Sequence, residues 1–432
     1  MNPLYRNDAP GQLPNSWYVA SLPAAPPRPA LSGDTTCDVA IVGAGYTGLW
    51  AARILAASGR RVVVLDAHRV GFGASGRNGG QVHRGYTKDQ AWLEAKLGQT
   101  RAHALWDLAQ TGKSQLRDFC NAHPDTQYRP GIAHCEYHAR DLDAMQAEAE
   151  YLARHYDYSI DVMDRAAFRD LVRSDSYQGG TFDPDGGHVH PLAYARALAQ
   201  DAEDIGASLF ERTEVTAIAP GAPLRLITPR GAVTADHAIL AGNGYLPNLS
   251  PGVNARVMPI NSFIAATEPV PELWQDVLAR DIAVADSRFV VNYFRFTQDR
   301  RFLFGGRESY GMGFPKDIET ALVARMIDMF PQLAGTKVEY VWGGALGITP
   351  SRLPYIGRLG PNVLAGAGFS GQGVALSGMA GRVLAEAILG QDRGLATCAA
   401  LPVPEFPGGT RLRAPILALA MTWFALRDRL GI

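Results

Sequence analysis

The stretch Cys37–Gly48, C-D-V-A-I-V-G-A-G-Y-T-G, constrains this chain more than any other. The apolar run Val39-Ala40-Ile41-Val42 drives straight into Gly43-x-Gly45-x-x-Gly48. After a helix-like segment, a second apolar run from Val62 to Leu65 ends in Asp66 and Ala67. The order is strand, glycine turn, helix, strand. In that order each glycine has its own task. Gly43 makes the tight turn, Gly45 lets the backbone approach a pyrophosphate, and Gly48 allows close helix–strand packing. Tyr46 and Thr47 open the helix, whose N-terminus faces the phosphates. Asp66 puts a carboxylate where a ribose would offer its hydroxyls. The unit reads as a Rossmann-type dinucleotide site.

At 432 residues the chain is too long for one small core, so two intimately packed domains are expected. The 41 basic and 42 acidic residues nearly cancel, which argues against nucleic acid and against strong attraction to anionic membranes. Cys37, Cys120, Cys135 and Cys398 are widely spaced and match no zinc or CxxC pattern. No metal is expected, and a reduced, cytoplasmic setting is the simplest reading. The chain opens without a signal-peptide pattern. No stretch approaches the roughly 20 apolar residues needed to span a bilayer.

Residues 1–36, rich in proline, read as an extended surface arm anchored by Trp17 and Tyr18. The nucleotide domain is expected to be discontinuous: 37–90, 181–224, 235–254 and 346–390. A substrate domain of 91–180, 225–234 and 255–345 is inserted into it. Aromatic and β-branched residues at period two (Phe289 to Phe296, Arg301 to Gly305, Val338 to Trp342) predict an antiparallel sheet there, with a helix near 317–330. Asp164 is placed to cap a helix over 165–172. Ala241-Gly242-Asn243-Gly244 is a further strand-to-glycine turn. Residues 391–432 form a tail whose run Ala414 to Leu426, flanked by arginines, suits packing on its own protein or on a second subunit, with a membrane interface as the alternative. The fold class is therefore α/β, α+β overall: a Rossmann-type domain with an inserted antiparallel-sheet domain.

Two glycine-dense blocks narrow the dinucleotide. Gly71 to Gln81 is denser in glycine than a connector requires and suits a loop threading along a ligand. More than 300 residues after the first unit, a strand over 362–366 enters Gly368-Phe369-Ser370-Gly371-Gln372-Gly373 and an Ala/Leu-rich helix. No second strand follows, so this is not another nucleotide unit. A helix N-terminus carries about half a positive charge, suited to the pyrimidine edge of a flavin.

The chain resembles the D-amino-acid-oxidase-like superfamily of FAD oxidoreductases, and most nearly the bacterial γ-glutamylputrescine oxidases, over essentially its whole length. The matching stretches are CDVAIVGAGYTGL, VGFGASGRNGGQ, YRPG, GGHVHPL, SRLPYIGRL, GFSGQGV, and FPGG followed by LRDRLGI. The resemblance implies that Gly43, Gly45 and Gly48 hold the FAD pyrophosphate and Asp66 the adenosine ribose. Ser75, Arg77, Asn78, Gly79, Gly80 and Gln81 would run along the pyrophosphate and ribityl chain. Val215 would meet the adenine, while Gly242, Gly368, Ser370, Gly371, Gln372, Gly373 and Arg352 complete the site around the flavin. Sarcosine-oxidase relatives carry a lysine where this chain has Ala375 and tether the flavin through a cysteine. The region before Arg352 has none, so FAD is expected to be non-covalent.

The implied chemistry is hydride transfer from the carbon beside a neutral amine, with imine hydrolysis and O2 as acceptor. His83, Arg352, Tyr293 and Trp342 are the candidates to face substrate, with Arg295 and Arg307 behind Arg352 as carboxylate readers. Arg84 follows His83 and divides evenly between substrate and surface. His188 and His190, two apart, read as structural. Alternatives are a flavin dehydrogenase of secondary or cyclic amino acids feeding a quinone, and a flavin-binding subunit without turnover.

Overall fold

The computed structural model describes residues 3–246, 249–288, 290–309 and 313–408, without the side chains of 307 and 308. The apolar tail over 414–426, Phe289 and the side chain of Arg307 lie outside the described residues. Among the described residues no helix is long and apolar enough to cross a membrane.

Two sheets organise the chain. The central strands of the first are parallel: Val62–Leu65, Thr35–Val42, Gly231–Leu240 and Val363–Ala367, in that order. Val62–Leu65 is buried along its whole length, as a strand covered on both faces must be. One face carries the helices Tyr46–Ala57, Gly373–Ile388, Gln99–Ala122 and Pro191–Asp204. Missing side chains set how closely they pack. A Cβ on Gly381 would lie 2.3 Å from the Thr47 carbonyl oxygen, and one on Gly112 would lie 2.5 Å from Met379 Cβ. Helix Gln99–Ala122, expected in the substrate domain, therefore packs in the core of the first sheet. Residues 225–234 were also expected in the substrate domain. They pair instead within the first sheet, Ala232 with Ile227 and Val233 with Leu226.

The second sheet runs in the order Val338–Ile348, Met258–Pro269, Arg301–Ser309, Tyr293–Phe296, Ala283–Asp286, Arg129–Glu136, Gly179–His188, Gln81–Val82. Its pairings are antiparallel as predicted, except that Ala283–Asp286 runs parallel to Arg129–Glu136. That exception sets Ala285 beside His134. The two-residue period sorts the faces. Phe263, Phe294, Phe296, Phe302 and Phe304 pack with Phe330 and the helix Glu319–Met329, while Tyr293 and Arg295 point the other way. Asp164 caps Arg165–Leu171 by accepting from the Ala167 amide at 2.9 Å.

The arm ties both sheets together. Tyr18 is fully buried and donates to the Asn78 carbonyl at 2.8 Å, and Trp17 Nε1 lies 3.4 Å from Asp299.

Candidate active site

A cavity of about 770 Å³ is lined by both sheets. At one end Gly43 adopts φ +108°, where a Cβ would sit 2.9 Å from the Ala241 carbonyl carbon. A Cβ on Gly48 would lie 2.0 Å from the Gly43 carbonyl oxygen, so this glycine packs behind the turn and is not part of the lining. Gly45, Tyr46 and Thr47 line the cavity. The Tyr46 amide donates to Ser75 Oγ at 3.1 Å, joining the helix start to the second glycine loop. Asp66 accepts from the Ala44 and His68 amides, both at 2.8 Å. Burial pushes its carboxyl up to about 6, opposed by those two amide bonds, with Glu211 adding to the rise. Each carboxylate oxygen keeps a lone pair for a hydroxyl donor. Ala67, Val215 and Gly242 line the same end.

The loop along the middle is held by its own side chains. Arg77 lies over the Phe72 ring at 4.3 Å, pairs with Asp8 at 3.0 Å and donates to the Phe72 and Gly343 carbonyls. Asn78 Nδ2 donates to the Ala74 and Ser75 carbonyls, and its Oδ1 accepts from the Gly80 amide at 2.7 Å. Ser75, Arg77, Asn78, Gly79 and Gln81 line the cavity, while Gly80 sits behind it with its carbonyl accepting from Val189. Ser370, Gly371, Gln372 and Gly373 line it at the start of the helix Gly373–Ile388. Gln372 Oε1 there is buried with no partner among the described residues. Gly368 supports this end from outside the lining, donating to Asn243 Oδ1 at 2.8 Å. Asn243, Arg352 and Ser370 all line the cavity in left-handed backbone, at φ 50°, 64° and 53°. Such strain gathers at ligand sites.

The remaining wall differs in character. His83 Nδ1 and His134 Nε2 lie 3.0 Å apart. Burial, then Arg84, lowers His83 to about 4, and burial with His83 and Arg84 holds His134 well below the usual range. Both rings are therefore neutral near pH 7, one donating to the other. The Tyr293 ring lies against Gly79 and Gly305, whose Cβ atoms would come within 2.8 and 2.1 Å of it. Its hydroxyl is 3.3 Å from Ser262 Oγ. Lys88, Asp286, Arg288 and Arg352 also line this region.

Several residues singled out from the sequence lie elsewhere. Trp342 is packed against Tyr18 and donates to the Arg77 carbonyl at 3.0 Å, outside the cavity lining. Arg295 is a buried strut, donating to the carbonyls of Gly79, Val189 and Phe296. Its guanidinium is spent on those carbonyls behind the wall, and it does not line the cavity. Arg84 faces Glu148 and Asp183 at 3.5 and 3.9 Å. His190 caps Pro191–Asp204 through Nδ1 and meets Ser21 at 3.0 Å, while His188 faces Asp281 at 3.3 Å. Ala375 is buried in the helix core. None of the four cysteines lines the cavity. Sequence reasoning missed His134, Asp286, Arg288 and Asn243. The signal for two of them was a polar residue in an otherwise apolar strand, Ile132-Ala133-His134-Cys135 and Ala283-Val284-Ala285-Asp286.

A dinucleotide fits these residues: glycines where a Cβ would obstruct it, a carboxylate with free lone pairs, two helix N-termini, and a cavity of the size of a cofactor site. Comparisons with known proteins agree. The chain is 40% identical over 417 residues to “Probable oxidoreductase OrdL” of Rhizobium meliloti (strain 1021), covering 96% of this chain and 97% of that one. It is 37% identical over 421 residues to “Gamma-glutamylputrescine oxidoreductase” of Escherichia coli (strain K12), covering 97% and 99%. The solved glycine oxidase of Geobacillus kaustophilus shares the fold with a TM-score of 0.69 at 21% identity, over 83% of this chain and 95% of that one. L-Proline dehydrogenase of P. horikoshii does so with a TM-score of 0.72 at 17% identity, over 85% and 96%. The FAD dependent oxidoreductase (DAO) family profile matches residues 38–387, and the chain belongs to that family of FAD-dependent enzymes.

Proposed function

We propose that this enzyme oxidises the primary amine of a γ-glutamylputrescine-like amide, with non-covalent FAD and with O2 as final acceptor. The net reaction is amine, O2 and water to aldehyde, ammonia and hydrogen peroxide. When bound, FAD supplies the two-electron acceptor for the hydride leaving the carbon beside the nitrogen. The rest falls to the chain. Only a neutral amine gives up that hydride readily, so the wall must not hold the ammonium form. The observation that carries the reading is the half-buried His83–His134 pair on the cavity, neutral near pH 7. It offers hydrogen bonds without a charge that would keep the amine protonated. Tyr293, whose ring lies against Gly79, covers the loop that lines the cofactor end and orients what enters. The name of the Escherichia coli relative supports the choice of amide.

An anaerobic titration tests the reading. γ-Glutamylputrescine is expected to bleach the flavin fully, and readmitted air to return the colour with one peroxide per turnover. Faster bleaching by free putrescine would overturn the amide assignment. Bleaching by L-proline, with recovery through a quinone and not through air, would overturn both the substrate and the acceptor.

A further inference from the structure

We infer that residues 3–11 of the arm belong to the cofactor site: a strap over one end of the cavity, latched on His68, that opens for FAD to enter or leave. This holds whichever amine is oxidised. His68 is a fully buried histidine that the chemistry leaves unused. It stands two residues past Asp66, and its own amide donates to the Asp66 carboxylate at 2.8 Å. Its ring stacks on Phe72 with the centroids 3.5 Å apart, and Phe72 lines the cavity. Both ring nitrogens go to the arm. The Leu4 carbonyl can only accept and the Gly11 amide can only donate, which fixes the tautomer. Nε2 carries the proton and donates to Leu4 at 2.8 Å, while Nδ1 accepts from Gly11 at 3.1 Å. One neutral ring thus fastens the strap near both its ends.

Between those ends three more bonds hold it. The Tyr5 hydroxyl donates to Glu214 at 2.7 Å, Asn7 Oδ1 accepts from the Phe314 amide at 3.0 Å, and Asp8 pairs with Arg77 at 3.0 Å. Leu4, Arg77 and Glu214 line the cavity, as do Asp66, Ala67 and Val215 at the same end. Phe314 belongs to the core of the second sheet, so the strap runs from the end marked by Asp66, past the glycine loop, to that sheet.

None of these fastenings is a sheet ladder. Among the described residues the segment 3–11 pairs with no strand, and the arm joins the first sheet only at Thr35. Residues 3–8 are half-buried and Ala9 and Pro10 exposed, as for a single layer with one side turned to water. The firm anchor lies further on, at buried Trp17 and Tyr18. Gly11, between strap and anchor, sits at φ +73°, where glycine turns without strain. Lifting the strap therefore breaks a few side-chain bonds and unpacks no core. The opposite is true of the walls built on Tyr46–Ala57 and Gly373–Ile388, which pack in the core of the first sheet. For a ligand as large as a dinucleotide the strap is the easiest wall to move.

Two rates test this, both read from flavin fluorescence without turnover: release of FAD from diluted holoenzyme, and its uptake by the apoprotein. A lid slows both, whereas a simple contact slows release alone. Deleting residues 3–11 should speed release about tenfold or more and uptake about threefold or more. Tyr5→Phe combined with Asp8→Asn, which keeps the strap and removes two fastenings, should speed both by smaller factors. His68→Phe keeps a ring on Phe72 but holds neither Leu4 nor Gly11, and should approach the deletion. Release unchanged within about twofold in the deletion would overturn the strap as a wall of the site. Faster release with unchanged uptake would overturn the gate. If the deletion does not fold, the same two rates in the double variant and in His68→Phe decide.

Discussion

Asp66 shows how burial and binding set opposite demands on one residue. Its carboxyl is pushed up to about 6 by burial, yet the role we propose for it, accepting from ribose hydroxyls, needs the ionised form. FAD must therefore displace a proton when it binds below that value. The sign follows: affinity is level above pH 7 and weakens as the pH falls through 6, by up to about tenfold per unit. Fluorescence titration of the apoprotein from pH 5 to 8 should show this slope, and Asp66→Asn should bind weakly and without it. A slope kept in Asp66→Asn would place the proton elsewhere. The histidine pair gives a second expectation. His83 is lowered to about 4 and His134 well below its ordinary value, burial being the first cause in both. Neither titrates near neutrality, so kcat/KM should climb toward the amine's own pKa, near 10 for a primary amine. A limb centred between pH 6 and 7 that His83→Asn removes would show His83 to be the titrating base. His83 was legible because it follows the glycine loop in sequence. His134 was not. Only the pairing of both Gln81–Val82 and Arg129–Glu136 with Gly179–His188 brings a lone strand histidine to its side.

The strand–turn–helix element separates two kinds of glycine. A Cβ on Gly45 would meet only the Ser75 hydroxyl, at 2.9 Å, a group able to rotate away. On Gly48 it would meet backbone at 2.0 Å, which cannot yield without parting helix from strand. Gly45→Ala should therefore fold and lose FAD affinity, whereas Gly48→Ala should lower the Tm of the apoprotein itself. Thermal melts of both apoproteins beside a flavin titration distinguish the two, and an unchanged apoprotein Tm in Gly48→Ala would contradict the packing. Spacing alone announced these glycines. Packing partners were less legible. The amphipathic pattern of Gln99–Ala122 says that one face is buried, but not against which sheet, and the deciding contacts run through Gly112 to Met379, far along the chain. Arg295 misled for a similar reason. A basic residue in an aromatic strand reads as a ligand reader until its N–H groups are found on the carbonyls of Gly79, Val189 and Phe296.

At the scale of the molecule, one cavity touches both sheets, so cofactor binding should stabilise the two halves together. FAD at about a hundred times its Kd adds roughly 2.7 kcal/mol to folding. Apoprotein and holoprotein should each melt in one transition, shifted upward by FAD. Two transitions, of which FAD moves only one, would mean the halves unfold separately. The alternation of strand periods made the two-sheet architecture readable. Residues 225–234 were misplaced because a hairpin returning to its own sheet looks locally like one that leaves it.

The strand order carries a consequence for how the protein is made. Thr35–Val42 leaves the ribosome with its partner Gly231–Leu240 about two hundred residues behind, and Val363–Ala367 comes later still. Until then the nascent chain offers an apolar, unpaired edge of the kind that invites aggregation. Gly371, Gln372, Gly373, Val374 and Ser377, which line the cavity, are synthesised last among its walls. Flavin capture is thus a late step of biogenesis. Ribosome-bound chains stalled before Val363 should need chaperone cover and remain colourless.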